Sequence, residues 1–407
     1  MKVLYIVGTC LSKNTSANMS HNSYIQGLLE NGCDVEIIMK DNSWGQSDAL
    51  LKKFDGVKYN EFGSENLLDK IIGRFSNASV GTPTSKPSES TKDTEVSKKS
   101  KKPSINFRSI AKRIVSTLYP KDKVYPFEKV WLKKAQNFRS NEEYDLVVSN
   151  SSPSASHKLA KILIERGHIK TKRWVQIWED PWFHDLYSAH EPIIRDEEED
   201  LLNSATEIYY VSPLTTEYQK QFFPSAAHKM KTIALPYFTV DDNESPITVT
   251  DITYGYFGDY FTFTRNLKPF FNALEKSKRE GFIYGDSNLQ LTSLKIDLSP
   301  RVTLDKLKNV QNKTSVLVHL SNLRGGQIPG KIYHYSATTK PILFILDGTD
   351  EEKKILKNYF GKFNRYYFCE NTEDSILQAM TQIEEHLNRM ELPINAFSPK
   401  EVVKSFL

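Results

Sequence analysis

The chain has 407 residues, 39% hydrophobic and 12% aromatic, which is enough to bury two cores and makes two domains the expected number. A net charge of +4 argues against a surface that binds nucleic acid over its whole area. Three cysteines (Cys10, Cys33 and Cys369) show neither disulfide nor metal spacing, which fits a reduced, cytosolic protein. Because no run approaches the roughly 20 apolar residues of a spanning helix, any membrane contact should be peripheral.

The first forty residues alternate between strand and helix patterns. Residues 3–7 and 35–39 are short apolar runs, and residues 22–29 have helical periodicity with Ser20 as an N-cap. Residues 12–20 are predicted to be a polar loop. This βαβ order predicts a parallel sheet with helices on its faces. No Gly-x-Gly-x-x-Gly follows the first strand, so a dinucleotide-binding fingerprint is not indicated.

A polar, basic region interrupts this pattern. Residues 77–104 are rich in Ser, Thr, Lys and Pro, and we predict that they are disordered. Residues 98–134 carry twelve Lys or Arg and two acidic residues. Helical stripes of apolar residues occur at 107–118 and 127–138. Such basic amphipathic helices are typical of segments that lie on an anionic membrane, although packing against the sheet is an equal alternative.

The remaining chain alternates strands and helices in two blocks separated by a polar linker at 241–246. The first block has predicted strands at 144–149, 174–178, 207–211 and 230–235, and helices at 155–166, 197–203 and 215–222. The second has strands at 253–257, 282–284, 316–320, 342–346 and 366–368, and helices at 266–278, 303–309, 350–360 and 374–389. We therefore predict an N-terminal domain over 1–240, a second domain over 247–392 and a tail over 393–407.

The most informative segment is 327–341. A loop opens into a helix at Gly330, and the helix ends in small residues before Thr-Lys-Pro and a buried strand. Free backbone N–H groups and the positive end of the helix dipole suit a diphosphate, and Lys331 adds a full charge. The alternative is an ordinary helix start that uses Pro329 and Gly330.

This segment resembles the donor-site helix of GT-B glycosyltransferases of the GT4 type. Residues 209–214 and 233–237 are similar to two further segments of that family, and the resemblance covers nearly the whole chain outside 77–104. It implies an α/β protein with two Rossmann-like domains that face each other across a cleft. It also implies a C-terminal tail that crosses back to the N-terminal domain.

The resemblance implies a nucleotide-sugar site built from Gly258, Arg265, Gly330 and Lys331, without a cofactor or an essential metal. Arg265 is assigned because the family has a basic residue eight positions before an Ala-Leu pair, here Ala273-Leu274. A guanidinium can bind phosphate oxygens bidentately. A surface arginine near a helix start is the alternative.

Three positions depart from the family. Asp259 stands where an arginine is usual, with Lys268 as a weak substitute. The family also has two glutamates with seven residues between them, and Gly326 and His334 occupy these places. A neutral His334 could accept a hydrogen bond from a ribose hydroxyl, with a pH dependence near 6.5, or it could simply pack between two tyrosines.

The acceptor side is predicted at the ends of the N-terminal strands, since open α/β sheets bind ligands beyond their carboxyl ends. Asp180, in Glu-Asp-Pro-Trp, resembles a segment of bacterial polysaccharide glycosyltransferases and could orient an acceptor hydroxyl. The alternative is a helix N-cap followed by Pro181. Ser151 and His21 are further candidates.

The sequence thus leads us to expect a retaining glycosyltransferase of bacterial surface-polysaccharide synthesis. It would move a sugar from a nucleotide-sugar to a lipid-linked saccharide at the cytoplasmic face of an anionic inner membrane. The main alternative is a non-catalytic GT-B protein that binds a glycan or a partner glycosyltransferase. A nucleic-acid binder is not expected, because no aromatic-basic binding module accompanies the charge of residues 98–134.

Overall fold

The computed structural model describes residues 1–11, 15–41, 51, 53–63, 124–125, 127–185, 192–238, 252–386 and 391–407. Within these ranges the chain forms two large parallel sheets with helices packed on them. The predicted disordered insert, the first basic stripe and the interdomain linker lie outside the described residues. The predicted domain limits therefore stay a prediction.

The first part of the chain forms a seven-stranded sheet in the order β3-β2-β1-β5-β7-β8-β9, with a small β4-β6 pair beside it. All its neighbouring strands are parallel, and β1, β5 and β7 are buried almost throughout, as expected of apolar runs covered on both faces. The elements are β1 (Lys2–Val7), α1 (Ser16–Glu30), β2 (Asp34–Lys40), β3 (Lys58–Phe62), α2 (Lys129–Ala135), β4 (Glu143–Tyr144), β5 (Leu146–Asn150), α3 (Ala155–Glu165), β6 (Lys170–Thr171), β7 (Trp174–Trp178), α4 (Pro192–Ser204), β8 (Glu207–Tyr210), α5 (Pro213–Phe222) and β9 (Met230–Thr232).

The second part forms a six-stranded parallel sheet in the order β12-β11-β10-β13-β14-β15. Each sheet reverses its strand order next to its first strand, which is the doubly wound arrangement that leaves a crevice at the carboxyl ends. The elements are β10 (Thr253–Phe257), α6 (Lys268–Ser277), β11 (Glu280–Tyr284), β12 (Ile296–Ser299), α7 (Leu304–Lys313), β13 (Val316–Leu320), α8 (Lys331–Tyr335), β14 (Ile342–Leu346), α9 (Asp350–Gly361), β15 (Tyr366–Glu370) and α10 (Glu373–Glu385).

The C-terminal tail packs on the first sheet domain, as the resemblance implied. Its helix α11 (Pro399–Val403) lies against α1 so closely that a Cβ on Gly27 would fall 2.1 Å from the Pro399 carbonyl oxygen. Tyr209 donates its hydroxyl to the Ser405 carbonyl at 2.7 Å. The predicted crossing of the tail is confirmed.

The N-terminal helix begins earlier than predicted. Thr15, and not Ser20, is its N-cap, and its side chain accepts a hydrogen bond from the Asn18 backbone N–H. The prediction was wrong because the first two turns bury polar residues beneath the ends of the strands: Asn18, Ser20, His21, Asn22 and Ser23. A polar helix face that is buried has the same sequence pattern as a loop.

The described part of the second basic stripe packs on the first sheet. Trp131 and Ala135 on α2 are fully buried and Phe138 is buried beside them, so the packing alternative accounts for these residues. Phe127, just before the helix, remains 68% exposed. Strand β3 and strand β12 were not predicted, since both are short and carry polar residues.

Candidate functional site

The two sheet domains meet through hydrogen bonds at the ends of their strands. The Gly326 carbonyl, between β13 and α8, accepts from the Ser212 hydroxyl at 2.6 Å and from the Thr215 hydroxyl at 3.0 Å. Tyr333 on α8 donates its hydroxyl to the Val211 carbonyl at 3.1 Å. The loop that contains Gly326 therefore contacts the first domain through its backbone.

The helix that carries the sequence signature is short. Helix α8 has five residues, and Gly330 at its N-cap lies against the first domain. A Cβ at this position would fall 3.2 Å from Leu235 Cδ1 and 3.3 Å from Ser16 Oγ. The dipole of so short a helix is weaker than predicted, so charged side chains must supply most of the positive potential.

Two predicted cations, Arg265 and Lys331, lie at the carboxyl end of the second sheet. A Cβ on Gly258, just after β10, would fall 3.6 Å from Arg265 Nη1, so the guanidinium borders this loop. Lys331 is half-buried, and burial together with Arg301 and Arg265 lowers its pKa to about 8, while Asp259 acts in the opposite direction. These cations are close enough to disfavour one another's charge.

Arg301, which the sequence reasoning missed, is the third cation of this cluster. Its Nε donates to Asp259 Oδ1 at 2.9 Å, and its Nη2 binds the other carboxylate oxygen. This bidentate pair, led by the Arg301 hydrogen bond, lowers the pKa of Asp259. Asp259 therefore holds the guanidinium of Arg301, which follows β12. Lys268, the proposed substitute, instead lies with Nζ 4.9 Å from the ring of Phe271 on its own helix.

Close packing of two glycines makes this pairing possible. A Cβ on Gly285, after β11, would fall 1.9 Å from the Gly258 carbonyl oxygen, so only glycine lets the two loops approach. The approach also lets the Asp286 backbone N–H donate to Asp259 Oδ1 at 3.1 Å. The ends of β10, β11 and β12 thus form one surface.

His334 has a different hydrogen-bonding role from the one predicted. Its Nδ1 accepts from the Phe238 backbone N–H at 3.3 Å. Burial, with Lys331 adding to it, lowers the pKa of His334 to about 4, so the ring is neutral at physiological pH. A neutral ring that accepts at Nδ1 carries its proton on Nε2 and offers a donor there. A pH dependence near 6.5 is therefore no longer expected.

On the acceptor side, His21 and Ser151 lie beneath the surface. His21 is fully buried; its Nδ1 lies 2.7 Å from the Thr9 carbonyl oxygen, and its Nε2 lies 3.1 Å from both the Ser151 carbonyl oxygen and Glu179 Oε1. Burial alone would lower the pKa of His21, but Glu179 and the two carbonyls outweigh it and raise the pKa. His21 therefore contacts Glu179, whose side chain is 10% exposed, and burial raises the pKa of Glu179 although His21 acts in the opposite direction.

Asp180 connects the two domains. No helix begins at Pro181 within the described residues 181–185, so the N-cap alternative is wrong. Gln327 Nε2 donates to Asp180 Oδ1 at 2.6 Å and to Asp185 Oδ2 at 3.0 Å. Loss of hydration between the domains raises the pKa of Asp180 to about 6, with Glu179 and Asp185 adding to it. Asp180 thus lies where the two domains meet, and its role toward an acceptor stays a prediction.

The described residues contain no cluster of three or more His, Cys, Asp or Glu side chains suited to a metal ion. Metal independence stays a prediction. In the same ranges, no helix combines the length and the apolar character needed to cross a membrane.

No family model matches this chain, and no curated protein is similar to it in sequence. Among solved structures, a glycosyltransferase from Rickettsia africae ESF-5 is similar with a TM-score of 0.50 and 12% identity, covering 99% of this chain and 91% of that one. An alpha-glucosyltransferase in complex with UDP and a 13-mer DNA has a TM-score of 0.50 and 10% identity, covering 100% of this chain and 97% of that one. Together with the two doubly wound sheets and the crossing tail, these likenesses show that the chain has the GT-B fold of glycosyltransferases.

Proposed function

We propose that the protein is a glycosyltransferase that uses a nucleotide-sugar donor. The observation that carries this proposal is the cluster of Arg265, Arg301 and Lys331 at the carboxyl ends of the second sheet. The low pKa of Lys331 means that its charge is disfavoured without a ligand, and an anion placed between these side chains would relieve the repulsion. A nucleoside diphosphate provides such an anion.

The same cluster can serve the reaction. In sugar transfer the bond between the anomeric carbon and the diphosphate oxygen breaks, and a bond from that carbon to an acceptor oxygen forms. Negative charge develops on the leaving diphosphate, where preorganised cations stabilise the transition state. The proton of the acceptor hydroxyl passes to an oxygen of the leaving diphosphate as the new bond forms, and Asp180 or Glu179 on the facing wall could orient the acceptor hydroxyl. Retention of anomeric configuration is the outcome that the resemblance to GT4 enzymes favours.

We propose a lipid-linked saccharide of bacterial surface-polysaccharide synthesis as the acceptor, reached at the cytoplasmic face of the membrane. The support is the sequence resemblance and the basic region before β4. Within the described part of that region, exposed Phe127 lies next to the basic helix α2. An exposed aromatic ring beside cations suits an anionic lipid surface.

A non-catalytic GT-B protein that binds a glycan is the second candidate. Its specific support is the replacement of the family glutamates by Gly326 and His334, since a carboxylate at the second position would bind the ribose more strongly than a neutral imidazole does. Both candidates predict a carbohydrate ligand, but only the transferase requires a nucleotide.

Nucleotide binding therefore tests the proposal. We expect at least one of UDP, GDP, ADP and dTDP, or its common sugar conjugates, to raise the melting temperature of the full chain. Arg265→Ala and Lys331→Ala should each weaken that binding. Lys276→Ala is the matched control, because Lys276 pairs with Glu373 at the opposite end of α6. If no nucleotide binds, or if both folded variants bind as wild type does, the transferase proposal is wrong.

A further inference from the structure

Glu198 is a buried carboxyl group that the function proposed above does not use. It lies on α4 and is 0% exposed. Its Oε2 accepts a hydrogen bond from the Phe183 backbone N–H at 2.5 Å, and the Trp182 backbone N–H is a second donor. The Tyr210 hydroxyl lies 3.5 Å from the other oxygen, Oε1. Glu198 therefore holds two consecutive residues of the segment between β7 and α4.

These partners are all neutral, and this determines the protonation state of Glu198. Burial raises the pKa of Glu198 to about 8, although the hydrogen bonds from the two backbone groups and Tyr210 oppose it. About 90% of this group is therefore protonated at pH 7. A protonated carboxyl group has one carbonyl oxygen that accepts and one O–H that donates. A glutamine amide has the same arrangement, with its oxygen as the acceptor and its NH₂ group as the donor.

The other backbone group of Phe183 is also held by a buried side chain. Gln219 on α5 is 1% exposed, and its Nε2 donates to the Phe183 carbonyl at 3.2 Å. The next residue, His184, has a φ of 64°, which residues other than glycine adopt rarely. No helix or strand includes residues 181–185. The conformation of this segment therefore depends on the side chains that surround it.

The same segment carries the two carboxylates that meet the second domain. Asp180 and Asp185 lie on either side of Phe183 in the chain, and Gln327 donates to both of them. Since these side chains lie only a few residues from Phe183, a shift of its backbone would move both carboxylates relative to Gln327.

We propose that Glu198 is a positioning residue, which sets Asp180 and Asp185 against Gln327 by holding the backbone between them. The use of Asp180 toward an acceptor rests on the proposed function, whereas the positioning itself does not. The alternative is that Glu198 only fills the core. A leucine would then serve as well, because apolar residues of similar size often replace buried charged groups without loss of stability.

Amide hydrogen exchange of the full chain at pH 7 separates these alternatives. Glu198→Leu should speed exchange at Trp182 and Phe183 roughly tenfold or more, because both amides lose their acceptor. Glu198→Gln should exchange as wild type does, because its amide oxygen still accepts. Glu199→Leu is the matched control on the same helix, since the Glu199 carboxylate binds only the Ser225 hydroxyl at the surface, at 3.0 Å. It should leave both amides unchanged.

The titration of Asp180 shows whether Glu198 acts through this carboxylate. Loss of hydration between the domains raises the pKa of Asp180 to about 6. Glu198→Leu should return it toward the ordinary value of about 4, and Glu198→Gln should leave it raised. Carbon NMR of protein labelled at the aspartate carboxyl groups measures this pKa, and Asp180→Asn identifies the resonance.

The inference is overturned if folded Glu198→Leu keeps the wild-type exchange and the wild-type Asp180 titration. It is also overturned if Glu198→Gln behaves as the leucine variant does. Should Glu198→Leu fail to fold, Glu198→Asp decides, because its shorter side chain should expose the same two amides, and wild-type exchange there would refute the positioning. Neither measurement uses a nucleotide, so absence of nucleotide binding would refute the transferase and leave this result standing.

Discussion

The titration of Lys331 offers a direct test of the diphosphate site. Its pKa of about 8 results from burial and from repulsion by Arg301 and Arg265, with Asp259 partly opposing them. Because the folded protein lowers this pKa, the ammonium is present below pH 8 and is lost as the pH rises through that value. A bound diphosphate would favour the charged form. Nucleotide affinity should therefore fall between pH 7 and pH 9.

The size of this effect can be worked out from the pKa. In the protein without nucleotide, about 90% of the Lys331 side chains are charged at pH 7 and about 10% at pH 9. If the complex keeps the proton, affinity should weaken about tenfold over this interval, or about 1.4 kcal/mol. The terminal phosphate of a nucleoside diphosphate does not confound this range, because its second pKa is about 6. Binding at pH 8–9 should also take up a proton from the buffer.

Isothermal titration calorimetry in buffers of different ionisation enthalpy measures both quantities. Lys331→Arg should bind with little pH dependence, because a guanidinium stays charged throughout. Lys331→Met should bind weakly at pH 7 and also lose the pH dependence. Since the folded state disfavours the Lys331 charge, this variant should melt no lower than wild type. An affinity that is flat from pH 7 to pH 9 in wild type, or a slope that persists in Lys331→Met, would refute the reasoning.

Three further predictions concern other parts of the molecule. Arg301→Ala and Asp259→Ala should each weaken nucleotide binding, and calorimetry on the double variant should show less than additive loss, because Asp259 acts by orienting Arg301. His334→Ala should lose about 1 kcal/mol of nucleotide affinity, and this loss should be the same from pH 5.5 to pH 7.5. A change in wild-type affinity with a midpoint near pH 6.5 would contradict the low pKa of this ring. Changing three cations of the first basic stripe to Glu should reduce sedimentation with anionic liposomes: Arg108, Lys112 and Arg113. Each cation near such a surface is worth about 1 kcal/mol of binding. Equal sedimentation of the variant and wild type would favour packing of this stripe on the protein.

The sequence was most informative where strands are apolar and buried on both faces. Strands β1, β7, β10, β13 and β14 have a continuous pattern that only a covered parallel sheet explains, and each was predicted within a residue. The segment 327–341 was informative for a different reason, since Pro-Gly before a helix and Lys-Pro before a strand fix two boundaries. Both signals are local along the chain.

The missed features depend on partners that are distant in the sequence. Arg301 follows β12, whose sequence Ile-Asp-Leu-Ser has little apolar character, and its role appears only when Asp259 lies opposite it. Similarly, the sequence predicts Gln327 in a loop, but its side chain bridges Asp180 and Asp185, which lie 147 and 142 residues away in the chain. Pairings across such separations leave no periodic pattern that a single sequence could show.

Three cations of the cleft belong to the second domain, which also contributes Asp259, and this division bears on the proposed function. The second domain contributes Arg265, Arg301 and Lys331, whereas Glu179 and Asp180 belong to the first. Gln327 holds the Asp180 side chain from the second domain through a neutral amide, so this bridge closes the cleft without neutralising the carboxylate. A purely structural interface would gain more by pairing an arginine with Asp180. Under the proposed function, the cations of the second domain would face the leaving diphosphate and the carboxylates of the first domain would face the acceptor hydroxyl.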